Sequence, residues 1–213
     1  MYTTEDEDIE RIKRWWAAYG RWVTAIVLVA ALGFGSWKGW GYYRTHQAQQ
    51  ASAIYNTLQQ AVQNDEAKAV DKAAQTLVDS YAATPYAALA QMIKAKRAVE
   101  AGKLDAAAAD LQWVIDKGSQ ESLRHLAVLR LAQVRIAQKQ PDAALSLLKT
   151  GFAEAYMPLV KELEGDAWSV KGDAQRARAA YEQALAGAQL AGLPVDGLKM
   201  KIAALGAVPQ GKA

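Results

Sequence analysis

Three carboxylates in close register, Glu162, Glu164 and Asp166, are the residues whose types and spacing come nearest to general acid/base chemistry. A pair of carboxyl groups does that work only when its surroundings push the two pKa values apart. Here all three fall on one predicted helix of a charged, alanine-rich segment, where acidic faces are ordinarily solvated. The two histidines, His46 and His125, stand 79 positions apart, and neither belongs to a HExxH or other ligand-spaced cluster. Cysteine is absent, which removes thiolate metal sites, cysteine nucleophiles and disulfide staples. There is no GxSxG, no phosphate loop and no dinucleotide fingerprint. GFGSWKG, 33–39, looks glycine-rich but lies in an apolar helix with no preceding strand. The sequence therefore predicts no catalytic residue, no metal and no cofactor.

The elements that would position any side chain divide into two kinds. Mean hydropathy is only −0.13 although apolar residues make up 52% of the 213, so the apolar content is unevenly spread or alanine-rich. Both hold. WVTAIVLVAALGFGSW, 22–37, carries no charge, and through Tyr43 the only charge is Lys38. As a helix, 22–43 measures about 33 Å at 1.5 Å per residue, which matches a hydrocarbon layer of about 30 Å. Lys38 lies near its end, where an ammonium can snorkel. Trp15, Trp16, Tyr19 and Trp22 precede the stretch, and Trp37, Trp40, Tyr42 and Tyr43 close it. Aromatic rings at both ends make two interfacial belts, which a buried core helix does not need. Arg11, Lys13, Arg14 and Arg21 on the amino side, against Lys38 and Arg44 on the other, predict a cytoplasmic amino terminus. A cleaved signal peptide is the rival, with Ala30, Ala31 and Gly33 as a cleavage site. Its amino region would be unusually long and acidic, however, and the aromatic belt would lie beyond the cut. Ala31, Gly35 and Gly39 form a small-xxx-small face for pairing of membrane helices, although small residues are common in such helices anyway.

From Gln47 onward good helix formers dominate and nothing alternates with period two. LEGDAWSVKGDAQRARAAYEQAL, 163–185, resembles the tetratricopeptide pattern: Gly165 and Trp168 on a first helix, Gly172-Asp173 at the turn, then Ala177, Tyr181 and Ala184 on a second. Small residues sit where antiparallel helices cross most closely, and the aromatics fill the wedge. A matching frame places Ala132, Ala144 and Leu148 33 residues earlier. Ala95, Ala98, Gly102, Ala107, Leu111 and Val114 repeat it 37 residues before that. A fainter copy fits Leu58, Ala61, Asp65, Val70, Ala74 and Leu77. Arg135 stands where the pattern wants an aromatic, which leaves the third register open by a turn; the rival is a plain helical bundle. The expectation is an all-α chain: one N-terminal transmembrane helix, then a tetratricopeptide-like α-solenoid of about four helix pairs, with a capping helix near Val195–Leu205. The expected divisions are a cytoplasmic tail 1–21, a membrane helix 22–43, a repeat domain 44–205 and a flexible tail 206–213.

Such an array offers a concave groove lined by first helices. The repeat frame nominates Met92, Lys96 and Val99, then Leu129, Gln133 and Ile136, then Glu162, Asp166 and Ser169. The net charge of +3 is too balanced for a nucleic-acid binder.

The order of segments, together with KRWWAAYGRWV, GWGYYRTHQAQQAS, KLDAAAADLQ, LRLAQVRIAQKQPDAALSLL, LEGDAWSVKGDAQRARAAYEQAL and LKMKIAAL, resembles the ancillary SecYEG translocon subunit family over about residues 1–205. The resemblance implies a single-pass inner-membrane protein with its repeat domain in the periplasm. It implies association with the SecYEG channel and with a membrane-anchored, prolyl-isomerase-like (PpiD-like) chaperone, and transfer of emerging chains to periplasmic folding factors. It also implies restraint of a cytoplasmic envelope-stress response regulator by the acidic tail, and it brings no catalytic residues. Together with the residues it points to a non-enzymatic, membrane-tethered adaptor whose partners include the lipid bilayer and no nucleic acid. Two alternatives stay open: a free periplasmic scaffold for envelope assembly or division, and a regulator of an envelope enzyme.

Overall fold

The chain is described by a computed structural model over residues 4–206. Of the expected tail 206–213, all but Gly206 lies outside the described residues, as do residues 1–3. Nine α-helices and one 3-10 turn account for the ordered elements, with no strand among the described residues. Two compact units divide the chain, Met1–Gln49 and Gln50–Ala213. Helix α1 (Thr4–Gln63) supplies the first and begins the second.

Four helix pairs build the second unit. The last turns of α1 pair with α2 (Ala67–Tyr81), α3 (Pro85–Glu100) with α4 (Leu104–Lys117), α5 (Glu121–Ala137) with α6 (Pro141–Leu147), and α7 (Met157–Val170) with α8 (Ala174–Leu190). The 3-10 turn Glu154–Tyr156 leads into α7, and α9 (Asp196–Gly206) follows as the cap. The array with its final helix is the architecture the repeat spacing predicts. Proline opens α3 and α6 at the first helical position, where its missing N–H leaves no bond unmade. Asp173 caps α8 by accepting from the Arg176 N–H at 2.9 Å.

Each first helix ends in the same way. Asp65, Gly102, Lys139 and Gly172 all take positive φ, at 53°, 71°, 60° and 82°. The next residue's N–H then reaches back five positions: Glu66 to the Ala61 carbonyl, Lys103 to Ala98, Gln140 to Arg135, and Asp173 to Trp168, at 2.8–3.0 Å. This bond closes the helix and redirects the chain. The shared turn fixes the third register that Arg135 had left open. Arg135 itself replaces the aromatic wedge with hydrogen bonds to Gln138 and Gln140.

Burial is serial, as expected of a solenoid, where each unit contacts its neighbours. One cluster joins Ala51 and Leu58 of α1 to α2 and α3 through Leu77 and Ala87. The next joins α3, α4 and α5 through Ala95, Leu111 and Leu131. A third joins α5, α6 and α7 through Leu129, Leu148 and Leu163. The last gathers Ala177, Tyr181, Ala184 and Leu198 from α8 and α9. Tight crossings need small residues: a Cβ on Gly165 would lie 2.4 Å from the Tyr181 ring. Neighbouring pairs are also stitched at the surface by a repeated polar contact. Gln138 Nε2 donates to Asp105 Oδ1 at 2.7 Å, and Lys171, at the same repeat position 33 residues on, pairs with Asp142.

Candidate partner-binding groove and apolar helix

The first unit presents its apolar residues to the surroundings. The most apolar 18-residue stretch of α1 has a mean hydropathy of 1.6 and is 7% buried, which makes it one candidate membrane span by length and composition. Leu32 and Trp37 are each 71% exposed, and Trp15, Trp22, Trp40 and Tyr42 also stand free of any core. The two aromatic groups hold together locally, Trp15 against Tyr19 and Trp40 against Tyr43, with ring centroids 6.0 Å apart in each pair. A soluble helix so exposed would carry a large apolar patch in water. Nothing lies within 4 Å of a Cβ built on Gly35 or Gly39, so that face is open. The Ala31 side chain lies outside the described residues.

In the second unit, the nine groove residues meet four different fates. Met92, Lys96, Val99 and Gln133 come together around a cavity of about 520 Å³ between α3, α4 and α5. Its wall is mostly apolar, with Ala95, Leu104, Leu111, Leu126, Val134 and Ala137 completing it. Cavities of roughly 300–1,000 Å³ are the size that binding pockets use. Val99 is 44% exposed at its mouth. Lys96 is well exposed and pairs with Glu100 at 3.7 Å along the same helix. Arg130, across on α5, donates to the neutral Gln133 amide oxygen at 3.0 Å.

Leu129 and Ile136 turn away. Leu129 is 1% exposed in the third core cluster, and Ile136 packs against that cluster. A first helix inside an array has two neighbours. On α5, Leu126, Arg130, Gln133 and Ala137 form the stripe that lines the cavity, while Leu129, Ala132 and Ile136 form the adjoining stripe toward α6 and α7. One residue of helix is about 100° of rotation, enough to separate the two. The repeat frame alone therefore nominated residues from both stripes and missed Leu126, Arg130 and Ala137. Their i, i+4, i+7, i+11 spacing was the available signal.

Glu162 and Asp166 are already engaged. Lys201 on α9 places Nζ 2.8 Å from Glu162 Oε1 and 2.7 and 2.9 Å from the two Asp166 oxygens. The Tyr181 hydroxyl donates to Asp166 Oδ1 at 2.8 Å, and the Lys201 ammonium also lies 5.5 Å from the Tyr181 ring centre. Burial raises the Tyr181 pKa, and the Asp166 carboxylate raises it further, so the phenol stays a neutral donor. Burial alone would lower the Lys201 pKa, but its bonds to Asp166 and Glu162 outweigh that and hold it above its ordinary value. Ser169 is exposed near the end of α7. The sequence showed Lys201 only as part of an amphipathic helix, and nothing in its spacing announced a partner 35 residues away. Of the three carboxylates that came nearest to acid/base chemistry, Glu162 and Asp166 are thus bound by a lysine from the cap and Glu164 by Lys161 at 2.7 Å, with no metal-ligand cluster among the described residues.

His125 is half-buried one turn into α5, where its ring lies 5.5 Å from that of Phe152 and 6.4 Å from that of Tyr156. It helps pack the segment that connects α6 to α7.

Paired helices closed by left-handed turns, stacked in series and capped by a final helix, define a tetratricopeptide repeat-like protein, a protein-interaction fold. Residues 13–207 match the tetratricopeptide repeat-like domain family. The chain is 35% identical over 185 residues to the ancillary SecYEG translocon subunit of Escherichia coli, with 85% of this chain and 87% of the relative covered. It is 36% identical to the Haemophilus influenzae protein of the same name, covering 84% and 88%, and 29% identical to that of Neisseria gonorrhoeae, covering 92% and 97%. The chain belongs to the ancillary SecYEG translocon subunit family. No solved structure gives a significant match.

Proposed function

We propose that this chain is a non-enzymatic adaptor tethered beside the SecYEG translocon. The observation that carries the reading is the bare apolar helix between two aromatic belts, on a chain whose remaining residues fold into an interaction array. In this reading residues 1–21 form a cytoplasmic tail, 22–43 cross the inner membrane and 44–205 work in the periplasm, with 206–213 as a tail. The excess of Arg and Lys before Trp22 supports that orientation. Tethering raises the effective concentration of the array near the channel exit, so a weak groove affinity suffices to hand emerging chains to periplasmic chaperones, including a PpiD-like one. The acidic tail would act on a stress response regulator in the cytoplasm. Association with SecYEG is what the relatives' name describes, and coverage of 84–85% of this chain and 87–88% of the relatives supports carrying it across.

The test uses intact cells. The chain should resist alkaline carbonate extraction, protease added to spheroplasts should remove the repeat domain, and photocrosslinkers at Lys96 and Gln133 should capture channel or chaperone subunits. A chain washed off by carbonate, or one that starts after Ala31 or Gly33, would overturn the tether. Deleting residues 1–10 with no change in stress output would remove the cytoplasmic role.

A further inference from the structure

The cavity between α3, α4 and α5 differs from the rest of the groove in a way that specifies its occupant. Its wall is apolar, while its mouth carries cations on both sides, Lys96 from α3 and Arg130 from α5. The one acidic residue there, Glu100, is turned to Lys96 at 3.7 Å. Arg130 has only a neutral amide as its hydrogen-bond partner, and among the described residues no carboxylate lies within ion-pair distance of it. The mouth therefore holds an uncompensated positive charge above an apolar hollow. At the other end of the array the acidic groove positions Glu162 and Asp166 are instead both engaged from within by Lys201.

We infer that this pocket captures a partner segment in which large apolar side chains are flanked by Asp or Glu. Apolar groups would fill the hollow, and a neighbouring carboxylate would meet Arg130 and Lys96 at the mouth. The anchor supplies affinity and the charge supplies selectivity, the usual division of labour at an interface. The inference rests on the adaptor reading above and adds the chemistry of what the adaptor holds.

The experiment uses the full-length chain in nanodiscs and two labelled twelve-residue peptides. Both contain a central Leu-Phe pair; Asp flanks it in one and Lys in the other. Fluorescence anisotropy should show the Asp peptide binding about tenfold tighter at low salt, since exposed ion pairs contribute a small factor each, and the gap should shrink as salt rises. Arg130→Glu with Lys96→Glu should abolish or reverse the preference. Ala137→Trp, which fills the hollow from an exposed rim position, should lower the binding of both peptides. Melting curves for each variant separate lost binding from lost folding. Equal binding of the two peptides would overturn the inference, and so would an Asp-peptide affinity indifferent to Ala137→Trp. A concentration-dependent dimer of the chain that the peptide dissolves would also overturn it, by assigning the pocket to a second copy. If crosslinks to the translocon survive in the doubly reversed variant while peptide selectivity is absent, the tether stands and this pocket assignment alone fails.

Discussion

Lys96 and Asp166 occupy equivalent positions on the first helices of the second and fourth pairs, yet one borders an open cavity and the other is held by the capping helix. The difference follows from what each first helix meets next. Helix α3 faces α5 across a space that small residues such as Ala95 and Ala137 leave unfilled. Among the described residues α7 and α8 are followed by the single helix α9; α8 packs on α9, and Lys201 reaches from there to Glu162 and Asp166. A solenoid must close its ends against water, and this chain does so with charge as well as with Leu198 and Ile202. Equivalent repeat positions thus border an open cavity in mid-array and close the array at its terminus.

The largest effect that would break the comparison comes from the closed end. Leucine at Gly165 would drive its side chain into the Tyr181 ring, since even its Cβ would stand 2.4 Å from that ring. Overpacking of this kind costs about 1–3 kcal/mol and sometimes more. Gly165→Leu should unfold the α7–α8–α9 end well before α3–α5 in a denaturant titration followed by hydrogen exchange. If both ends melt together at the wild-type midpoint, the serial picture of the core is wrong.

A smaller effect sharpens the role of the cap. Lys201→Met removes one ammonium and leaves Glu162 and Asp166 facing each other without it. Breaking a fully buried pair costs about 3–5 kcal/mol, but these side chains are 26–35% exposed, so solvent screening reduces the expected loss to about 1–2 kcal/mol. Exchange of α9 amides should speed up accordingly while pocket ligation is retained. The sign with pH follows from the raised Lys201 pKa. The stabilisation is whole below 10.5, the unfolded value, and is lost only as pH rises through the higher folded value. Between pH 7 and about 10 this clamp should therefore hold without change. Asp166→Lys should likewise loosen α9 rather than abolish partner capture.

How much of this was legible beforehand depends on the range of the interaction involved. The repeats were legible because Gly102, Gly172, Ala177 and Tyr181 mark local geometry, and the capping helix because its pattern is periodic. The bare apolar helix was legible from composition alone. The groove was legible only in part. Placing Leu129 on one stripe or the next requires knowing the angle between neighbouring pairs, which one repeat does not encode. The Lys201 clamp spans 35 residues between α7 and α9, and no periodicity reports such a contact.

Lys139 tests the shared turn more finely. It takes φ 60° at the position where the second and fourth pairs use glycine. A side chain in the left-handed region costs about 1 kcal/mol, so Lys139→Gly should stabilise the third pair by up to that amount. Urea midpoints would register the gain. A loss would mean that Lys139 makes contacts worth more than its strain.

The smallest effect concerns a carboxylate whose compensation is incomplete, the reverse of Lys201. Burial raises the Asp110 pKa above 3.8, the Lys94 ammonium at 3.4 Å opposes this without cancelling it, and Asp71 adds to it. The folded state therefore holds this proton more tightly than the unfolded chain does. Its contribution to stability falls as pH rises from 3.8 through the folded value, and above that the charged form is a net cost. Asp110→Asn removes that pH dependence and also deprives Lys94 of its partner. With Lys94 25% exposed, that second loss is a few tenths of a kcal/mol, roughly the worth of a screened pair. The two changes nearly cancel at neutral pH, so the variant should match the wild type within about 0.5 kcal/mol there and show a flatter stability profile as pH rises above 3.8. A clear loss at pH 7 would mean that the Lys94–Asp110 pair stabilises the α3–α4 contact outright, and the mid-array would then depend on ion pairing much as the cap does.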